Sequence, residues 1–208
     1  MYLLTETASP FALERWAAFF ANFGQFAKGF FYTLGISIGA LIVALLLGLI
    51  FGAMSSTHNK VLRGISRVYV EIFQNTPLLV QFVVVFYGIS ILTDGHVMIP
   101  ISLTAILCVG VYTGAYISEI IRTGIEAVPK GQTEAALSQG FTYADTMRII
   151  ILPQAVRTIL PPLTNQVVNL IKNTSTVAII SGADIMFTAK AWAYDTTNYV
   201  PAFAGAAF

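Results

Sequence analysis

Residues 29–59 contain not one Asp, Glu, Lys or Arg. About 20 apolar residues, rising about 1.5 Å each, cross the hydrocarbon core of a bilayer. A stretch of this length and character reads as a transmembrane helix. It commits its neighbours too, because backbone polar groups inside lipid must be satisfied within helices or a closed barrel. Composition agrees: only 10% of the 208 residues are charged and mean hydropathy is +0.76, against about 25% charged in soluble domains. The expected fold class is an all-α membrane protein.

The remaining spans follow from the same pattern. Residues 72–93 are free of charge and read as a second span that opens with Q-N-T-P-L-L-V-Q, with Pro77 tolerated in its first turn or kinking it. Before it lies a loop carrying His58, Lys60, Arg63 and Arg67. A third span is expected over about 97–122, and a fourth over 154–180, interrupted by Lys172, Asn173, Thr174, Ser175 and Thr176. Residues 200–208 turn apolar again but are too few to cross a bilayer. They read as the start of a fifth helix that is cut short. Residues 1–28 mix Phe11, Trp16, Phe19, Phe20, Phe23 and Phe26 with a few charges, as an interfacial or periplasmic segment does. The organisation expected is therefore 1–28 as that segment and 29–208 as the transmembrane domain. Gly35, Gly39, Gly48 and Gly52 form two G-x-x-x-G pairs that allow close helix approach. Cys108, the single cysteine, lies in an apolar run and reads as a small buried hydrophobe.

Between the third and fourth spans sits a polar island, E-A-A-L-S-Q-G-F-T-Y-A-D-T-M-R-I-I-I-L-P, from Glu134 to Pro153. It reads as a helix over 132–139, a break at Gly140, and a second helix capped by Thr142 with Asp145 three residues on and limited by Pro153. Helices this short are marginal alone. They need a partner surface.

This island resembles the EAA loop of the permease subunits of bacterial ABC importers. That pattern is E-A-A, three residues, G, nine residues, I, one residue, L-P, and Glu134, Ala135, Ala136, Gly140, Ile150, Leu152 and Pro153 occupy every fixed position. Further stretches are similar to the polar amino acid branch of these permeases: N-T-P-L-L-V-Q from Asn75, A-Y-I-S-E-I-I-R from Ala115, G-Q-T-E-A-A from Gly131, L-P-Q-A-V-R from Leu152 and K-N-T-S from Lys172. Gln74 departs from the Arg that the family often places there. The resemblance implies a type I ABC importer transmembrane domain of about five helices, the last truncated, with the EAA loop (126–153) as a cytoplasmic coupling helix. It also implies a partner set: an ABC ATPase subunit dimer, a second permease subunit, the same or homologous, and a periplasmic or lipoprotein solute-binding protein.

Charge distribution sets the orientation. Lys60, Arg63, Arg67, Arg122, Lys130, Arg148 and Arg157 follow the first and third spans. By the positive-inside rule this multi-pass chain of the bacterial inner membrane has its EAA loop in the cytoplasm and its N-terminus outside. No G-x-x-x-x-G-K-[ST] phosphate loop occurs. ATP hydrolysis is therefore expected on another subunit, and this chain is expected to be no enzyme.

Buried charge marks the expected substrate contacts. Lys172 falls beyond mid-membrane, and the Asn173, Thr174, Ser175 run competes with regular helix bonding and can unwind it. A broken helix presents backbone donors to a carboxylate. Tyr116, Glu119 and Arg122 share a face of the third span, where Glu119 and Arg122 are spaced to pair. Asn173, a neutral amide, suits a neutral or acidic amino acid better than a cationic one. A structural alternative has Lys172 pairing with Glu119 or Asp184.

Other classes fare worse. A net charge of +1 argues against nucleic-acid binding, and no H-E-x-x-H or G-x-S-x-G occurs. No catalytic residue, metal ligand set or cofactor is expected, and membrane lipid is the surrounding medium. The alternative reading is an ion-coupled secondary amino acid transporter, which a broken helix and a few buried charges would also serve.

Overall fold

The computed structural model describes residues 9–207, all of whose regular structure is helical. The first eight residues of the expected interfacial segment lie outside this range. Of the rest, Leu13–Ala21 forms α1, and after Asn22 the chain enters α2, Phe23–Ser55. The helix that contains the charge-free run thus starts at Phe23 and takes in Lys28, because nothing between Phe23 and Gly29 breaks it.

Helix α2 lies beside α6, Ile101–Glu126, and this pair is the spine of the fold. Both run the same way: Gly39 faces Ile106, Gly52 faces Ile121, and Gly110 faces Val43. A Cβ at Gly48 would overlap the Ile117 side chain. Three of the four G-x-x-x-G glycines thus serve close packing within the chain, while Gly35 faces open space. Buried Ile36, Ala40, Ala44, Cys108, Val109 and Ile117 form the core between the two helices.

The region between them departs from the expected loop and span. Asn59 caps α3, Lys60–Asn75, its side chain accepting from the amides of Val61 and Leu62. The chain then turns through 97° and continues as α4, Leu78–Val83, a π-helical turn, Val84–Gly88, and α5, Ile89–Leu92. Residues 72–75 therefore belong to α3, before the bend, and not to the helix that starts at Leu78. Pro77 is the cause, since it lacks an N–H and pushes the preceding residue out of helical geometry; Thr76 is extended, at φ −101° and ψ 124°. The Gln81 amide fills the gap by donating to the carbonyls of Phe73 at 3.2 Å and Thr76 at 3.0 Å.

After the polar island, α9 spans Leu152–Asn173 and runs back along α6, with Ile159 against Gly124. A 3₁₀ segment, Thr174–Ile180, follows and ends at Ser181 with φ 60°. Helices α10, Ile185–Thr196, and α11, Tyr199–Ala207, close on α1, with Phe19, Phe26 and Trp192 buried together. Among the described residues, α2 and α6 are long and apolar enough to cross a membrane, and the bent α3–α5 unit makes a third if counted as one span. At 22 residues α9 is long enough, but it carries Pro161, Pro162 and several amides. One end of the bundle thus holds the C-termini of α2 and α6 with the polar island. The other holds the N-termini of α2 and α6 with residues 181–184, where Gly29 meets Ile185 and Gly182 meets Ile101.

Candidate functional site

The polar island folds as the sequence punctuates it. Helix α7, Lys130–Ser138, ends on Gly140 at φ +87°, a left-handed conformation that costs any residue with a Cβ about 1–2 kcal/mol. The Gly140 amide bonds the Leu137 carbonyl at 3.0 Å and the Phe141 amide the Ala136 carbonyl at 3.1 Å, the paired bonds of a Schellman end. Thr142 then caps α8, Tyr143–Asp145, accepting from the Asp145 amide at 3.2 Å and donating to its carboxylate. One expectation fails here: Pro153 does not limit the helix. The chain widens to π geometry over Thr146–Ile151 and continues into α9. Proline removes one donor and crowds the carbonyl four residues back, and a wide turn accommodates both.

Glu134, Ala135 and Gly140 are exposed, Ala136 and Ile151 are buried, Ile150 is half-buried, and Leu152 and Pro153 are exposed. The unit is held from beneath by its apolar side and shows Glu134 to the outside. It also touches the first turn of the bundle: the rings of His58 and Tyr143 meet edge to face, 5.2 Å between centroids.

Beside that contact, the turn after α2, α3 and the last turns of α6 line a half-open cavity of about 680 Å³. Glu119 and Arg122 pair as their spacing predicts, and Arg122 also binds Glu126. Arg67 pairs with Glu71 at 2.7 Å. Gln74 donates to the Ala115 carbonyl at 3.2 Å and so ties α3 to α6. Tyr69 does the same through Val111 at 2.7 Å, and Ser66 binds the Phe51 carbonyl of α2.

The expected substrate residues do not converge. Glu119 and Arg122 line this cavity, and half-buried Tyr116 sits one turn away with its hydroxyl 3.1 Å from that of Tyr112. Lys172, Asn173, Thr174 and Ser175 lie toward the other end of the bundle, where the α-helix stops at Asn173. The chain tightens there into 3₁₀ geometry instead of opening. Thr174 is buried and donates to the Ile171 carbonyl at 2.7 Å, while Lys172 and Ser175 are exposed. Lys172 pairs with neither Glu119 nor Asp184: Glu119 is held by Arg122, and the buried Asp184 carboxylate accepts from the amides of Met186 and Phe187. Burial pushes the Asp184 carboxyl above its ordinary value, against the pull of those amides.

Sequence reasoning missed α3 as a helix and His58 as a contact. A signal for α3 was present: Asn59 is a capping residue, and Lys60, Arg63, Arg67 and Glu71 repeat at helical spacing.

The geometry has close counterparts. The chain is 41% identical over 173 residues to the probable glutamine ABC transporter permease protein GlnM of Bacillus subtilis, covering 82% of this chain and 77% of that one. It is 35% identical over 187 residues to the glutamate/aspartate import permease protein GltJ of Escherichia coli, covering 81% and 76%. A crystal structure of an amino acid ABC transporter with histidines superposes with a TM-score of 0.85 at 32% identity, over 92% of this chain and 88% of that one. The MetNI methionine ABC transporter, at 17% identity and a TM-score of 0.71, shares the fold, that of type I ABC importer transmembrane domains. Residues 44–208 match the family described as the binding-protein-dependent transport system inner membrane component, and the chain belongs to that family.

Proposed function

We propose that this chain is the permease subunit of an ATP-driven amino acid importer, lining the translocation path and coupling through residues 126–153 to separate ATPase subunits. The observation that carries the reading is the exposed helix–Gly140–helix unit. It joins α6 to α9, shows Glu134 outward, and contacts the turn after α2 through Tyr143. A movement imposed on it would reach three helices at once. ATP would be bound and hydrolysed by a pair of ABC subunits coupled through Glu134, Ala135, Ala136, Gly140, Ile150, Leu152 and Pro153, with exposed Glu134 and Ala135 facing the ATPase and buried Ala136 seating the unit on the bundle. A second permease subunit and an external solute-binding protein complete the assembly. The excess of Lys and Arg in the segments at that end supports a cytoplasmic coupling unit and an N-terminus outside. Residues 1–28 are assigned to the N-terminal segment and 29–208 to the transmembrane domain.

The cargo is a neutral or acidic amino acid. Relatives bear the names of glutamine and glutamate/aspartate permeases, and Asn173 gives a neutral amide beside Lys172. We assign Tyr116, Glu119, Arg122, Lys172, Asn173, Thr174 and Ser175 as the polar groups along its route.

The test is co-expression with the candidate ATPase, purification in detergent, and comparison of wild type with Glu134→Arg and Gly140→Pro. Wild type should retain the ATPase and both folded variants should lose it. Equal retention in all three would overturn the coupling role, and uptake that prefers arginine or lysine would overturn the cargo class.

A further inference from the structure

We propose that the cavity between α3 and α6 is a binding site for a zwitterionic amino acid, distinct from the K-N-T-S run and placed at the end of the bundle that carries the coupling unit. The choice of an amino acid as probe rests on the permease reading; the charge pattern does not.

The cavity's ion pairs leave charge of both signs over. Lys60 and Arg63, in the first turn of α3, line it and have no ion-pair partner among the described residues. On the α6 wall, Glu119 and Glu126 share one guanidinium, that of Arg122, so one negative charge is in excess. Surplus positive charge thus comes from one helix and surplus negative charge from the other. A simple anion would be drawn to Lys60 and Arg63 but repelled by the carboxylates, and a simple cation the reverse. A molecule with an α-carboxylate and an α-ammonium answers both walls.

The remaining features fit such a ligand. At about 680 Å³ the cavity lies within the range of small-molecule sites, about 300–1,000 Å³. Gln74 spends one amide hydrogen on Ala115, and its carbonyl oxygen accepts no bond among the described residues, so it can read a polar side chain. Its glutamine also spares the cavity a further cation. His58 lines the same cavity and meets Tyr143, so a bound molecule sits next to the coupling unit.

The test is equilibrium binding of radiolabelled L-glutamine to the full permease–ATPase complex in detergent, with no solute-binding protein present. Two competitors each lack one charge: glutaramate has no α-ammonium, and 4-aminobutanamide has no α-carboxylate. Saturable binding is expected in wild type, at least tenfold weaker in Arg63→Ala and in Glu126→Gln, retained in Arg63→Lys and in Gly35→Ala, whose added Cβ meets open space, and displaced poorly by either competitor. No binding in wild type, unchanged binding in both cavity variants, a loss in Gly35→Ala as large as in the cavity variants, or displacement by glutaramate as strong as by glutamine would each overturn the proposal. ATPase retention is scored in the same samples, so a failure of the permease reading appears there, separately from a failure of the site.

Discussion

The ring of Tyr143 stands edge to face against His58, 5.2 Å between centroids, and this contact joins the unit after Gly140 to the turn that ends α2. In the proposed importer it links the ATPase-facing surface to the turn that follows the longest helix of the bundle.

Removing that link should uncouple without undocking. Aromatic pairs contribute about 0.5–1.5 kcal/mol beyond area burial. Tyr143→Ala is expected to lower ATP-driven uptake in proteoliposomes several-fold while the ATPase still co-purifies, and Tyr143→Phe should match wild type. Uptake by Tyr143→Ala at the wild-type rate would show that the contact carries no motion.

Glycines on one helix should differ by what they face. A Cβ at Gly48 would overlap Ile117, whereas Gly35 has nothing within 4 Å. Overpacking costs about 1–3 kcal/mol. Gly48→Ala should lower the melting temperature in detergent by several degrees, and Gly35→Ala should leave it level or raise it. Equal effects would mean that α2 and α6 are not packed as described.

The bend before α4 depends on one side chain. Replacing Gln81 by Leu keeps the volume and strips two carbonyls, those of Phe73 and Thr76, of their donor. An unsatisfied buried acceptor costs about 1–3 kcal/mol. Denaturant unfolding in detergent should show a loss of that order for Gln81→Leu, with Gln81→Glu less damaged at low pH, where a protonated carboxyl can donate. A Leu variant as stable as wild type would remove Gln81 from the account.

Asp184 couples stability to pH. Its carboxyl is raised by burial, so over the window above the ordinary aspartate value the folded state holds a proton that the unfolded chain has released. Stability therefore falls as pH rises through that window, and the penalty is complete above the folded value. Asp184→Asn keeps acceptor capacity for the Met186 and Phe187 amides without the charge, and its stability should stay level there. Asp184→Ala should lose the cap at every pH, about 1 kcal/mol. A wild-type profile as flat as that of Asp184→Asn would refute the assignment.

What the sequence determined is what depends on neighbours along the chain. Charge-free runs had to become helices because lipid offers backbone groups no other partner. Gly140 and Thr142 ended one helix and began the next through bonds reaching no further than five residues. Glu119 met Arg122 because three residues nearly complete a turn. The α-helix stopped at the polar run after Lys172, although the chain tightened there instead of unwinding.

Tertiary structure decided which surfaces meet. Only the packed bundle shows α2 and α6 side by side and running the same way, since that register is fixed by Gly48, Gly52 and Gly110 receiving side chains from the facing helix. Pro77 announced a break but not its 97° angle, which is held by Gln81 reaching back to carbonyls at the end of α3. Pro153 looked like a stop, yet the helix passed it by widening its turn. Lys60 and Arg63 looked like loop cations until α3 set them on a cavity wall across from Glu119 and Glu126. Helix formation is governed by short-range bonding that a sequence displays directly. Which charges and rings come together depends on the shapes of side chains far apart in the chain, and those shapes act only once the helices are packed.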